Sequence, residues 1–292
     1  MKGKGILLAG GAGALWALSG ISGQSLFQDY HFSAAWLVTA RLLISGILLL
    51  TCGYLLDKRA VMAPWKNKKD LRKLIIFSIV GMFVVQFTFF KTIEVSSASL
   101  ATIIQYTGPF FVVIYEVLRK IMAPNRLTFL LMLTTLVGVF LVASKGDISQ
   151  LNSSLEALLW GVGSAVAVAF YSIYPRQLLV NYGSLVIVGW AMLIGGLVAN
   201  LIQPIWNMDG QLTVGALMQL MMVIVFGTAL AYWMYLNSLQ FITAGLASIL
   251  TALEPLLATI FSIFFFSQTL TLLDGIGMVI VIGSILILQR RM

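Results

Sequence analysis

Long apolar runs, separated by short polar or charged breaks, fill this chain from end to end. Most runs have about 18 residues or more, the length that an α-helix needs to cross a hydrocarbon core about 30 Å thick. Because the runs do not alternate between apolar and polar positions, the pattern predicts helices rather than outer-membrane strands. Ten spans are predicted: residues 5–25, 33–56, 74–93, 95–115, 127–144, 156–175, 183–202, 213–236, 242–262 and 270–288.

The composition agrees with this pattern. Of 292 residues, 60% are hydrophobic and 10% are charged, whereas soluble domains have about 25% charged residues. A water-soluble fold is therefore excluded. The loops between the spans are short, so the predicted fold is an all-α polytopic membrane protein without an extramembrane domain. No cofactor is expected.

The basic residues predict the orientation of the chain. Of the 18 lysines and arginines, Arg41 lies within the second span, and Lys91 and Lys145 fall on one side of the membrane. The other 15 (18 − 3) fall on the side of the two termini. The positive-inside rule then places both termini in the cytoplasm. Since these residues occupy short loops, the net charge of +8 indicates topology and not nucleic-acid binding.

An internal repeat divides the chain. The segment "ASLATIIQYTGP" (98–109) in the fourth span and the segment "AGLASILTALEP" (244–255) in the ninth share five of twelve residues. The two segments occupy equivalent places in two five-helix halves, 1–147 and 148–292. Because five is odd, the second half has inverted polarity, which is a common plan of secondary transporters. Coincidental similarity between two apolar helices is the alternative.

These segments also carry a resemblance. "LWALSG" in the first span, "IIQYTGPFF" in the fourth and "ILTALEPLL" in the ninth resemble the drug/metabolite transporter superfamily, and most closely its EamA-type branch. The resemblance implies a secondary transporter of small organic metabolites, often amino acids and related compounds, in the cell membrane.

Two prolines mark helix kinks within the repeated segments. A proline removes one backbone hydrogen bond and displaces the carbonyl four residues earlier. For Pro109 this carbonyl belongs to Gln105, and for Pro255 it belongs to Thr251. With Glu254, these polar side chains follow helical spacing, so each half is expected to carry a small and polar stripe. Such a stripe suits either a cavity wall or close helix packing.

Two charges lie deep in the predicted spans. Arg41 and Glu254 are each about eight residues from the outer end of their span, or ~12 Å inward at ~1.5 Å per residue. A charge at the bilayer centre costs at least about 2.5–3.5 kcal/mol. The functional hypothesis is a clamp in which Arg41 attracts a carboxylate and Glu254 attracts an ammonium group or a proton. The structural alternatives are a buried ion pair, or an Arg41 that snorkels outward.

The remaining candidates are aromatic and amide side chains. Trp16, Tyr106 and Tyr171 lie deep enough to line a pocket, and Gln86 either binds substrate or bridges helices. An interfacial aromatic belt is predicted for Tyr232, Trp233 and Tyr235.

Enzyme function is the rival from another class. The chain has one histidine, no aspartate-rich diphosphate motif and no spacing typical of metal ligands, so neither catalytic nor metal-binding residues are predicted. A channel or uniporter for small polar solutes remains the alternative transport function. The predicted partners are a small-molecule substrate, the bilayer and candidate coupling protons, with the chain acting as a monomer.

The charge bias generates a first prediction. On a Cys52-free background, a cysteine introduced in the loop 57–73 is expected to be protected from an impermeant thiol reagent in intact cells. A cysteine at His31, in the first outer loop, serves as the labelled control. Labelling of the 57–73 loop from outside would overturn the predicted orientation.

Overall fold

The computed structural model describes residues 2–95, 98–121, 123, 125–144, 155–266 and 271–291. Every regular element within these ranges is helical. Seven helical stretches are long and apolar enough to cross a membrane, and three shorter apolar stretches occupy the positions of the fifth, ninth and tenth spans. The predicted all-α polytopic fold is therefore confirmed.

The helices of the first half follow the predicted spans closely. Helix α1 forms the first span and α2 the second, α4 and α5 share the third, α6 and α7 share the fourth, and α8 forms the fifth. Their bounds are α1 Lys2–Gln28, α2 Ala34–Leu56, α3 Lys58–Met62, α4 Lys68–Ile76, α5 Val85–Val95, α6 Ala98–Gln105, α7 Gly108–Leu118 and α8 Arg126–Ser144.

The second half repeats this order. Its helices are α9 Leu155–Ile173, α10 Arg176–Tyr182, α11 Ser184–Ile202, α12 Val214–Met221, α13 Ala231–Ser238, α14 Ala244–Leu250, α15 Leu253–Phe266 and α16 Leu272–Arg291. A wide π-helical stretch, Phe77–Val84, joins α4 to α5, and another, Met222–Leu230, joins α12 to α13. The sequence did not predict either stretch.

A single offset relates the two halves. Pro109 and Pro255 are 146 positions apart (255 − 109). The same offset carries the π-helical stretch 77–84 onto 223–230 and the helix 126–144 onto 272–290, each within two residues of the observed element. The proposed boundary between residues 147 and 148 lies outside the described residues.

Equivalent helices of the two halves pack on each other. Helix α2 lies against α11, and α8 lies against α16. Between α2 and α11 the backbones approach closely, because a Cβ atom at Gly46 would lie 2.5 Å from Leu193 N and one at Gly196 would lie 2.7 Å from Leu43 N. Small residues of this kind allow tight helix contacts in a bilayer, where no hydrophobic effect drives helices together.

The fourth and ninth spans are broken rather than kinked. Helix α6 ends at Gln105 and α7 begins at Gly108, while α14 ends at Leu250 and α15 begins at Leu253. Pro109 and Pro255 lie in the first turns of the following helices, where their missing N–H groups are not needed. Each break interrupts the helix within the predicted polar stripe, and the shared face of these side chains stays a prediction.

Glu116 joins the halves at the end of the bundle where Lys2 and Lys58 lie, here called the basic face. The side chain is 2% exposed, near the end of α7. Its Oε1 accepts a hydrogen bond from Ala244 N at 3.1 Å, while its buried Oε2 has no hydrogen-bond partner among the described residues. Glu116 thus caps the first turn of α14 in the other half. The sequence analysis did not identify this residue.

The Glu116 cap generates a stability prediction. Glu116→Ala leaves the buried N–H group of Ala244 without this acceptor, at a cost of about 1–3 kcal/mol, so the melting temperature in detergent should fall. Glu116→Gln retains a carbonyl acceptor and should lose less. Glu156→Ala, at an exposed glutamate of α9, is the matched control. Equal losses for the alanine and glutamine variants would contradict the capping role.

Candidate functional site

Glu254 lies at the break of the ninth span, in the first turn of α15. Its side chain is half-buried, and its Oε2 lies 3.0 Å from the hydroxyl of Tyr106, which comes from the break of the fourth span. The same hydroxyl lies 2.7 Å from the carbonyl oxygen of Thr251. Among the described residues, no hydrogen bond reaches Glu254 Oε1. The two broken helices therefore meet at one tyrosine hydroxyl.

The carbonyl group of Thr251, which Pro255 was expected to leave without a hydrogen bond, already accepts two. Thr251 O accepts from Tyr106 Oη and also from Glu254 N, at 2.8 Å. Helix α1 closes over the break, since a Cβ atom at Gly13 would lie 3.6 Å from this carbonyl oxygen. The break is thus a hydrogen-bonded turn.

Arg41 is held by the eighth span. The side chain is 5% exposed, and its Nε donates to Thr228 Oγ1 at 2.9 Å while Nη2 lies 3.5 Å from Gly227 O. The guanidinium also lies over the ring of Phe90, with Cζ 5.4 Å from the ring centroid. No described residue hydrogen-bonds Nη1, which leaves one face of the guanidinium for a ligand.

The π-helical stretch of the eighth span presents the groups that hold Arg41. A π-helix pairs each N–H with the carbonyl five residues earlier and is often found at functional sites. Thr228 Oγ1 donates to Val223 O at 2.7 Å, which matches this spacing. Ser45, one turn along α2 from Arg41, donates to Ile224 O at 2.8 Å. Helix α2 therefore supports the widened stretch through two side chains.

Arg41 and Glu254 do not form an ion pair. The described residues contain no carboxylate oxygen within 4.0 Å of the guanidinium, but the charges of Arg41 and Glu254 act on each other, and both act on Tyr232. The two charged groups therefore lie near each other and near Tyr232 without forming an ion pair. This arrangement differs from the buried pair that the sequence left open.

Aromatic side chains form one wall beside these charges. Trp16 lies edge-on to Tyr232, with ring centroids 5.1 Å apart, and 5.5 Å from Tyr235. Tyr171 stacks on Tyr235 at 5.2 Å. Because Tyr232 and Tyr235 are buried, the prediction that they belong to an interfacial belt is wrong. The widened eighth span turns both rings inward.

Two candidate side chains carry buried polar atoms without a partner in the described part of the chain. These atoms are Nε1 of the Trp16 indole and the amide nitrogen and oxygen of Gln86. Gln105 instead donates to Ser164 Oγ of α9 at 2.7 Å, so it bridges helices. Buried polar groups are nearly always satisfied, and the unpaired atoms of Trp16 and Gln86 therefore suit contact with a bound molecule or water.

A small cavity of about 10 Å³, room for about one water molecule, lies beside Tyr106. It lies between the breaks of the fourth and ninth spans and helix α8, and its lining is mainly apolar. The lining residues are Tyr106, Pro109, Phe110, Met132, Thr135, Leu136, Val139, Ile249 and Ala252. Tyr106 therefore separates the carboxyl group of Glu254 from an apolar space.

Comparison with known proteins identifies the family. The model of the EamA-like transporter family matches residues 3–144 and again residues 155–290. The chain belongs to this family. It is 34% identical over 289 residues to the uncharacterized inner membrane transporter YicL of Salmonella typhimurium (strain LT2), covering 98% of this chain and 95% of that protein. A solved crystal structure, 15% identical, has the same fold with a TM-score of 0.83 over 100% of this chain and 99% of the other.

Membership of the EamA-like family confirms several expectations from the sequence. The resemblance stated there was correct, and the double match agrees with a repeated architecture. This EamA-like protein is a multi-pass membrane transporter and not an enzyme. Within the described residues, no three acidic, histidine or cysteine side chains are grouped to hold a metal.

The packing behind Arg41 generates a third prediction. At Gly227, which faces Arg41 Nη2 with its carbonyl, an added Cβ atom would collide with the side chain of Ser19 on α1. Gly227→Ala should therefore destabilise this EamA-like transporter by about 1–3 kcal/mol, measured as a lower melting temperature. The double variant Ser19→Gly/Gly227→Ala should recover most of the loss.

Gly20→Ala is the control for this experiment, because a Cβ atom at Gly20 meets nothing within 4 Å. Failure of Ser19→Gly to rescue Gly227→Ala would show that the close approach of α1 to the π-helical stretch does not limit stability.

Proposed function

We propose that this protein is a secondary transporter for small zwitterionic metabolites of the amino-acid class, which works by alternating access between its two halves. The observation that carries the proposal is the pair Arg41 and Glu254. These opposite charges come from different halves, lie near each other and make no ion pair among the described residues.

A zwitterion suits this pair for an electrostatic reason. Each charge is costly in a bilayer unless it finds a partner. Arg41 Nη1 and Glu254 Oε1 each lack a hydrogen bond among the described residues, so a carboxylate can bind at the first and an ammonium group at the second. A substrate with a single charge would leave one of the two protein charges without a counterion.

The aromatic wall supports an organic substrate with an apolar part. Trp16 and Tyr232 flank the charges, and aromatic faces bind both apolar groups and organic cations. The unpaired Nε1 of Trp16 and the amide of Gln86 add donors and an acceptor. Together these groups favour a small amphiphilic metabolite over an inorganic ion.

The contacts between the broken spans support an alternating-access mechanism. On the basic face α7 packs on α14 and Glu116 caps α14. Beyond the breaks, the described parts of α6 and α15 pack mainly on other helices, α6 on α9 and α15 on α1. If the basic face is cytoplasmic, as the charge bias predicts, this conformation is closed towards the cytoplasm.

Export is the direction we propose. We propose that both termini lie in the cytoplasm, as the charge bias predicts. The chain acts as a monomer in the lipid bilayer, because Arg41 and Glu254 come from one chain. Protons are the proposed coupling ion, because Glu254 is an ionisable group placed at the break between two helix segments.

Counterflow in proteoliposomes tests the proposal. Proteoliposomes loaded with an unlabelled amino acid should accumulate the labelled compound transiently, which a channel does not do. Competitors then probe each charge: the free amino acid, its amide, which lacks the carboxylate, and its N-acetyl derivative, which lacks the ammonium group. The wild-type protein should prefer the free amino acid over both.

Removal of each charge should change the selectivity for competitors in a different way. Arg41→Gln should weaken inhibition by the free amino acid about 10- to 100-fold, the effect of losing a hydrogen bond to a charged group, and abolish its advantage over the amide. Glu254→Gln should abolish its advantage over the N-acetyl derivative. Asp29→Asn, at an exposed carboxylate, is the control. Absence of counterflow by the wild-type protein, or unchanged selectivity in both variants, would refute the proposal.

A further inference from the structure

The hydroxyl of Tyr106 lies between two acceptors. Its oxygen is 2.7 Å from Thr251 O and 3.0 Å from Glu254 Oε2, and a tyrosine hydroxyl carries one proton. The shorter contact takes this proton, because a carbonyl oxygen has none to give. The contact with Glu254 then brings two oxygens together at hydrogen-bond distance and needs a second proton.

We infer that Glu254 carries this second proton in the present conformation, and that Tyr106 is the positioning residue that connects protonation of Glu254 to the contact between the two halves. The inference rests on the proposed function. In the protonated state the carboxyl group donates to Tyr106 Oη, and Tyr106 donates to Thr251 O. Both contacts are then satisfied, and a neutral carboxyl group is cheaper than a carboxylate at this depth.

Loss of the proton from Glu254 changes the group to which the Tyr106 hydroxyl donates its hydrogen bond. A carboxylate is a stronger acceptor than a carbonyl, so the hydroxyl turns from Thr251 O to Glu254 Oε2. The contact from the first half to the end of α14 is lost, while the contact to α15 is kept. At its other end α14 is still held by Glu116 through Ala244 N. Deprotonation therefore releases the break and leaves the cap of α14 in place.

Exchange of the proton for substrate balances without any other reactant. The carboxyl group of Glu254 gives up its proton to water, and the carboxylate that remains binds the ammonium group of the substrate. Release of the substrate reverses the step with a proton from the other side. A carboxyl group that holds either a proton or a substrate, but not both, couples the movement of the two in opposite directions.

The groups around Glu254 are compatible with this exchange. Those whose charge or hydroxyl acts on it are Tyr106, Arg41 of α2, Tyr171 of α9 and Tyr232 of α13. Helix α1 presents Gly13 to the break. The only cation in this set is Arg41, which is already held by Thr228. No second carboxylate acts on the site within the described residues.

Hydrogen exchange of the empty protein in nanodiscs tests the inference without relying on transport. The amides of residues 246–254 are compared among variants at each pH between about 5 and 9, so that the intrinsic pH dependence of exchange cancels. Glu254→Gln preserves the protonated pattern, since its amide donates to Tyr106. Relative to Glu254→Gln, the wild-type amides should therefore lose protection as the pH rises, by about fivefold, the effect of one hydrogen bond.

Tyr106→Phe is the decisive variant, because it keeps the buried ring and removes the hydroxyl. Its amides at 246–254 should be less protected than those of Glu254→Gln by a constant factor at every pH. Tyr182→Phe, which removes a hydroxyl bonded to Asp70 at 2.7 Å, is the control and should follow the wild-type profile.

The outcomes separate this inference from the proposed function. Equal pH-dependent protection in the wild-type protein and in Tyr106→Phe would overturn the role of Tyr106. A wild-type profile that follows Glu254→Gln at all pH values would overturn the proton exchange. Neither result would affect the zwitterion clamp, which depends on counterflow and on competitor selectivity.

Discussion

A polypeptide in a bilayer must satisfy its own backbone hydrogen bonds, and this constraint explains where the site of this transporter lies. In the described part of the chain two spans are broken and two are widened, so carbonyl groups leave the regular α-helical pattern within these spans. Three carbonyls at these points of the second half are met by side chains from other helices: Tyr106 reaches Thr251 O, Ser45 reaches Ile224 O and Arg41 approaches Gly227 O. The polar residues of the candidate site are thus the same residues that satisfy the hydrogen-bonding groups of the irregular backbone in lipid.

Much of the fold could be predicted because span length, loop charge and proline position are local properties of the sequence. The ten apolar runs matched helices, and the breaks fell beside Pro109 and Pro255. The π-helical stretches could not be predicted in this way, since their residues are ordinary apolar ones. The stretch Met222–Leu230 is supported by Arg41 and Ser45 of α2, which are tertiary contacts that no local pattern records.

The charged residues of the candidate site could be predicted from the sequence, but the residues that they contact could not. The cost of a buried charge drew attention to Arg41 and Glu254, whatever their partners. Their actual contacts, Thr228 and Tyr106, depend on where four helices cross. Glu116 was missed for a related reason: near a helix end it resembles any interfacial acid, and only the fold brings the first turn of α14 against it.

The symmetry of the backbone does not extend to the chemistry. At the offset of 146 residues, Glu254 corresponds to Gly108 and Arg41 to the buried Ile187. A side chain at Gly108 would be crowded, because a Cβ atom there would lie 3.2 Å from Ala165 O. A second carboxylate at this break would place two like charges in the membrane with one arginine to neutralise them. The two halves thus share equivalent breaks, while a single copy of each charge agrees with the one binding site that we propose between them.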